Sequence, residues 1–281
     1  MPDRFLNTQN CPSCGANWQG KFCAVCGEKR VEEKDWSLWH FGQNFWASIT
    51  NLDSLFIRSF WNLLFFPGLL TQKYLQGERV KYLKPIQVFL TCNVIFFFFF
   101  PMISVFYASV DEMILGFKQP TTYNYSFYDF EQKLLQKALK LKINANKLAQ
   151  KVQETANTSS KVLMFLLLPI WAIGVYGVFW RKNRYYIAHL IFVLHCFAFY
   201  LLLYTVYFET IFRFVRESHV NDYEIIVMYF LYLAYIIFAI KRVYNLTIWK
   251  SIIYAFLILL IYVFIFLWYR QIITIASLEW I

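Results

Sequence analysis

Stretches of about twenty predominantly apolar residues recur from residue 85 onward, the length a helix needs to cross the hydrocarbon core of a bilayer. Five can be placed. The first runs from Pro85 to about Ala108, through the consecutive phenylalanines Phe96 to Phe100, and the second covers Lys161 to Trp180 and contains Pro169. The others run from Tyr186 to Phe208, Tyr223 to Ile240 and Trp249 to Tyr269. In lipid every backbone polar group must be satisfied within the protein, so such segments are read as helices. Composition agrees: the 281 residues are 59% hydrophobic and 22% aromatic, against about 45–50% apolar residues in a soluble domain. The expected fold class is all-α, a polytopic helical membrane bundle of about five transmembrane helices.

Charge predicts the orientation. The formal net charge is +10, and the basic residues flank the apolar spans. That is the placement of topology signals rather than of a broad phosphate-binding face, so no nucleic acid is expected as a partner. In a five-span bundle the clusters Arg79/Lys81/Lys84, Arg181/Lys182/Arg184 and Lys241/Arg242/Lys250 share one side. That side is the cytoplasm by the positive-inside rule, with the N-terminus inside and the C-terminus outside. No signal peptide is expected from residues 1–10, which lack a charged start followed by an apolar core. The loop 109–160 then falls outside despite its lysines. Within it Leu134, Ala138, Leu141, Ala145, Leu148 and Val152 repeat in steps of four and three, the seam of a single amphipathic helix.

Ahead of the apolar region stand two short cysteine motifs, Cys11-Pro12-Ser13-Cys14-Gly15 and Cys23-Ala24-Val25-Cys26-Gly27. A C-x-x-C turn points two thiolates at one ion, and four thiolates make a closed tetrahedral site of the structural kind, for which Zn²⁺ is the expected metal. Glycine after each pair supplies the backbone freedom such turns use. Residues 1–30 are therefore read as a zinc ribbon, with Cys11, Cys14, Cys23 and Cys26 as ligands, in a reducing compartment. Cys92 and Cys196 sit alone inside apolar spans, which argues against a disulfide framework. The ribbon's outward residues are expected to be Trp18, Phe22 and the pair Lys29-Arg30, a surface suited to a protein partner.

Residues 31–84 link the ribbon to the bundle (residues 85–281). Trp36, Trp39, Phe41, Phe45 and Trp46 open this region, and an apolar stretch from Leu52 to Leu70 follows, interrupted by Asp53, Arg58 and Pro67-Gly68. Too broken to span, it is read as two short helices in the membrane interface, with a re-entrant hairpin as the alternative. Gly77 is expected to end the second helix. Arg79, Tyr82 and Lys84 are placed among lipid headgroups before Pro85 opens the first span. Arg79 and Tyr82 are also candidates to contact a ligand.

The elements Cys-Pro-x-Cys-Gly, Phe-Cys-x-x-Cys-Gly-Glu-Lys, Phe66-Pro67-Gly68 and Tyr74-x-x-Gly77-x-Arg79-x-x-Tyr82-x-x-Pro85 resemble an uncharacterised bacterial membrane-protein family, known only as a domain of unknown function. The resemblance covers residues 11–100. It implies a metal ribbon before several spans, a bacterial inner-membrane location, and no reaction.

Other candidates are sparse. His189 and His195 lie in the third span, six residues apart and so on different faces of a helix. His189 is expected near the interface and His195 deeper, as an interhelical hydrogen bond or a ligand contact. Glu209 and Arg213 are spaced as a local helical ion pair, with Arg213 a further possible ligand contact beside Arg79, Tyr82 and His195. Metalloprotease, nucleophile-elbow and phosphate-loop motifs are absent, and no catalytic residue is assigned. The functional expectation is a non-enzymatic membrane protein: a scaffold, accessory subunit or sensor whose cytoplasmic ribbon docks a protein partner. A small-molecule or lipid transporter is the alternative, and a lipid-active membrane enzyme comes third.

Overall fold

The computed structural model describes residues 10–17, 20–30, 55–99, 110, 128–215 and 222–281. Helices dominate: α1 (Leu55–Phe65), α2 (Leu69–Leu75), α3 (Pro85–Phe99), α4 (Tyr128–Leu141), α5 (Ala145–Phe179), α6 (Tyr186–Val215), α7 (Asp222–Tyr244) and α8 (Ile248–Trp280). Among the described residues the only β-type pairings are two isolated bridges in the cysteine region. The chain forms two compact units, residues 1–99 with 171–260 and residues 100–170 with 261–281.

Among the described residues four helices are long and apolar enough to cross a membrane, within Ala145–Phe179, Tyr186–Tyr207, Ile226–Tyr244 and Ile248–Trp280. They coincide with the second to fifth of the expected spans. The helix at the first predicted span, α3, is described over the 15 residues Pro85–Phe99. Its expected continuation to Ala108 lies outside the described residues. The helix that holds the second expected span is longer than the span: α5 begins sixteen residues before Lys161, at Ala145, and runs unbroken through Pro169.

In the first unit α6 is central. Its residues from Tyr186 to Tyr207 are mostly buried, whereas α8 exposes Ile253, Phe256 and Leu260. Helix α3 buries one stripe, Val88, Phe89, Cys92 and Phe96, and leaves Val94 and Phe98 exposed. Phe89 meets Phe197 and Phe96 meets Tyr204, a constant offset of 108 that makes α3 and α6 parallel. On α7, Tyr235 stacks on Phe199 and Tyr244 meets Phe192, so that helix runs antiparallel to α6. Phe179 at the end of α5 stacks on Tyr244 at 3.9 Å, and the Trp171 indole donates to the Ile258 carbonyl. The basic residues after α5 and at the end of α7 therefore share one end of this unit.

The α1–α2 hairpin is packed into the same unit. Ser59, Phe60, Leu63, Leu70 and Thr71 are buried, and the Ser59 hydroxyl accepts the amide of Leu83 at 2.8 Å. Gly68 turns between the helices at φ 73°, and Arg242 of α7 donates to the Pro67 carbonyl at 2.7 Å. Helix α2 ends at a glycine-capped turn, with Gly77 at φ 98° and the Glu78 amide bonded back to the Lys73 carbonyl.

In the second unit the predicted apolar seam is core in part. Leu134, Ala138, Leu148 and Val152 are buried with Val110, Phe130 and Leu278. It belongs to two helices, however, not one, and Leu141 is 44% exposed. The chain breaks at Lys142, φ 53°, where the Ile143 amide returns to the Ala138 carbonyl. Asn144 then caps α5 through its side-chain oxygen, which accepts the Asn146 amide at 2.8 Å. Lys137 donates to the carbonyls of Leu278 and Glu279, satisfying the open end of α8. Tyr269 donates to the Ser160 carbonyl at 2.8 Å.

Candidate metal centre and its contact with the helices

The two cysteine knuckles are the same structure repeated twelve residues apart. Cys11 N–H donates to the Ala16 carbonyl and Cys23 N–H to the Glu28 carbonyl, each at 2.8 Å. Gly15 N–H returns to Cys11 and Gly27 N–H to Cys23, with φ of 78° and 74° at the glycines. These turns bring all four sulfurs within 4.8 Å of one another. Cys11 and Cys26 stand 3.6 Å apart, and Cys14 and Cys23 stand 3.5 Å apart. A tetrahedron of thiolates at about 2.3 Å from one ion has edges of about 3.8 Å, so the donor set fits a closed four-sulfur site. None of the cysteines is in a disulfide. Amide hydrogen bonds from Cys26 and Val25 lower the Cys23 thiol to about 7. At Cys26 the Glu28 amide pulls downward, but desolvation and the neighbouring thiols outweigh it and push the group up to about 12. Protons therefore compete with a metal for this set, as for any thiolate site.

The repeat breaks at one position. Where the first knuckle has Ala16, the second has Glu28, and this glutamate is only 1% exposed. Its carboxylate is surrounded by donors. Ser13 of the first knuckle donates to Oε2 at 2.5 Å. The Arg79 amide reaches both oxygens at 3.1 and 3.2 Å, and the Val80 amide reaches Oε2 at 3.1 Å. Two successive amides facing one anion form a backbone nest, shaped here by Gly77 in its left-handed conformation. Glu28 thus ties the two knuckles together and fastens them to the turn between α2 and α3. The neighbouring Glu78 is held by Lys73 and Lys81.

The other predicted residues are placed separately. Arg79 lays its guanidinium over the Tyr74 ring, 4.9 Å from the centroid, while its amide serves Glu28. Tyr82 is half-buried. His195 is buried and its Nδ1 lies 2.9 Å from the Thr71 hydroxyl. His195 is nine residues into α6, about 14 Å along the helix; its Nε2 is buried with no hydrogen-bond partner among the described residues. His189, three residues into α6, is fully buried. Its Nε2 faces the Asn183 carbonyl at 3.0 Å and its Nδ1 the Tyr244 hydroxyl at 2.9 Å, so Nε2 carries the proton and Tyr244 donates. The side chains of Glu209 and Arg213 lie outside the described residues, as does Trp18. Sequence reasoning missed Glu28, Ser13 and Thr71. The available signal was the Ala16/Glu28 difference between otherwise equivalent knuckles.

No curated protein and no solved structure matches the chain. A family model described as a protein of unknown function, DUF3667, matches residues 53–97, which hold the hairpin, the Glu28-binding turn and nearly all of α3.

Proposed function

We propose that this chain is a non-enzymatic adaptor of the bacterial inner membrane, in which a zinc ribbon on the cytoplasmic side docks a protein partner. The observation that supports this most is the Glu28 latch. It holds the ribbon in a fixed pose against the helices through buried hydrogen bonds, while Phe22 and Val25 remain 60% and 75% exposed. A rigidly presented apolar pair is a suitable anchor for a partner, because preorganisation lowers the ordering cost of association. Zinc is the metal this reading assigns to the four thiolates. The cytoplasmic placement of the N-terminus is supported by the basic residues gathered at the end of the helical unit where Arg242 meets Pro67.

The test is affinity purification of the intact protein beside Phe22→Ala/Val25→Ser and Cys11→Ser/Cys14→Ser variants, with zinc measured in each. One zinc per chain is expected in the wild type and the surface variant. Proteins recovered with the wild type should fall about tenfold or more in both variants, the scale of losing a binding hot spot. Undiminished recovery in both would rule out docking at the ribbon.

A further inference from the structure

A second site lies away from the ribbon. A cavity of about 410 Å³ opens between the end of α7 and α2, lined by Gln72, Phe238, Lys241, Arg242, Asn245 and Leu246. Its polar lining is two cations and two amides, with no carboxylate. Ligand pockets commonly fall in the range of roughly 300–1,000 Å³, with a few convergent polar groups among apolar walls.

The basic pair has an ordinary use as a complement to the carbonyl end of α7. That end is already closed, because Asn245 adopts φ 51° and the Leu246 amide returns to the Lys241 carbonyl at 3.1 Å. Arg242 is oriented from behind by its bond to the Pro67 carbonyl, so the guanidinium is positioned before any ligand arrives. Among the described residues neither Lys241 nor Arg242 is paired with a carboxylate. Two full positive charges outweigh the partial negative charge of a helix C-terminus, and a planar guanidinium beside an ammonium matches a phosphate well. Phe238 and Leu246 add an apolar wall to the same space.

We propose that this cavity binds a phosphate-bearing anion, with Lys241 and Arg242 on the phosphate oxygens and Gln72 and Asn245 donating from the sides. A lipid headgroup and a soluble phosphate ester carry the same recognised group, and the experiment separates them. The full chain is placed in nanodiscs of phosphatidylcholine alone or with phosphatidic acid, and in detergent with inorganic phosphate. Wild type is compared with Lys241→Gln, an exposed position whose replacement leaves the Arg242–Pro67 bond in place, and folding is checked by size-exclusion chromatography. Loss of one charge-assisted contact should weaken binding about tenfold. A Lys241-dependent shift in thermal midpoint with phosphatidic acid establishes the site with a lipid source. The same dependence with inorganic phosphate in detergent establishes it with a soluble source. Equal responses of wild type and variant to both probes, or no response to either, overturn the proposal.

Discussion

Replacing Gly68 with alanine is expected to remove most of the folded protein. A Cβ at this position would sit 2.8 Å from both the Cα and the carbonyl oxygen of Ala239. Those are backbone atoms within α7 and cannot rotate away. The residue also holds φ 73°, a left-handed conformation costing a non-glycine residue about 1–3 kcal/mol. Overpacking adds typically another 1–3 kcal/mol, and the sum is a large share of the roughly 5–15 kcal/mol that holds a domain folded. The expected result is loss of monodisperse protein in detergent, or a thermal midpoint many degrees lower. Ala239→Gly should not rescue it, because the clashing atoms are not side-chain atoms. Gly15 and Gly20, around which a Cβ meets nothing within 4 Å, are the comparison positions. Alanine there strains only the backbone and should be far milder.

Glu28→Ala is expected to release the ribbon without dismantling it. The substitution leaves the Ser13 hydroxyl and the amides of Arg79 and Val80 without their shared acceptor. Each hydrogen bond to a charged group is worth about 1.5–3 kcal/mol, and orphaned buried donors add their own cost. A loss of at least about 2–4 kcal/mol follows on this scale. The four cysteines and their turn hydrogen bonds are untouched, so metal content should match that of the wild type. The thermal midpoint should fall and a protease should cut the ribbon away far faster. Glu28→Gln can keep its carbonyl oxygen where Oε2 accepts Ser13, Arg79 and Val80, losing the charge and the second contact to Arg79, and should be milder than Glu28→Ala.

Much of the architecture was legible because it depends on local or periodic signals. Apolar length located α5, α6, α7 and α8, and Pro67-Gly68 and Gly77 marked the two turns where positive φ is used. The C-x-x-C spacing placed four sulfurs together. What escaped were pairings between segments distant in sequence. Nothing local in Glu28 announces that it meets amides fifty residues away, nor in Thr71 that it meets His195 across 124 positions. The seam through Leu134 and Val152 was periodic enough to read as one helix, but Lys142 and Asn144 carry a cap-and-restart that outranks periodicity.

The claim on which the functional reading rests is that the metal-organised ribbon and the α2–α3 turn form one structural piece through Glu28. Hydrogen–deuterium exchange at the Arg79 and Val80 amides, before and after metal removal by a chelator, tests it most directly. Neither residue is a metal ligand, yet both amides donate to Glu28. Chelation should disorder the knuckles, free the carboxylate and speed exchange at these two amides by an order of magnitude or more, as protection of about 1.4 kcal/mol or greater is lost. Unchanged slow exchange after the metal has left would mean that the turn does not depend on the ribbon, and the adaptor account would fail.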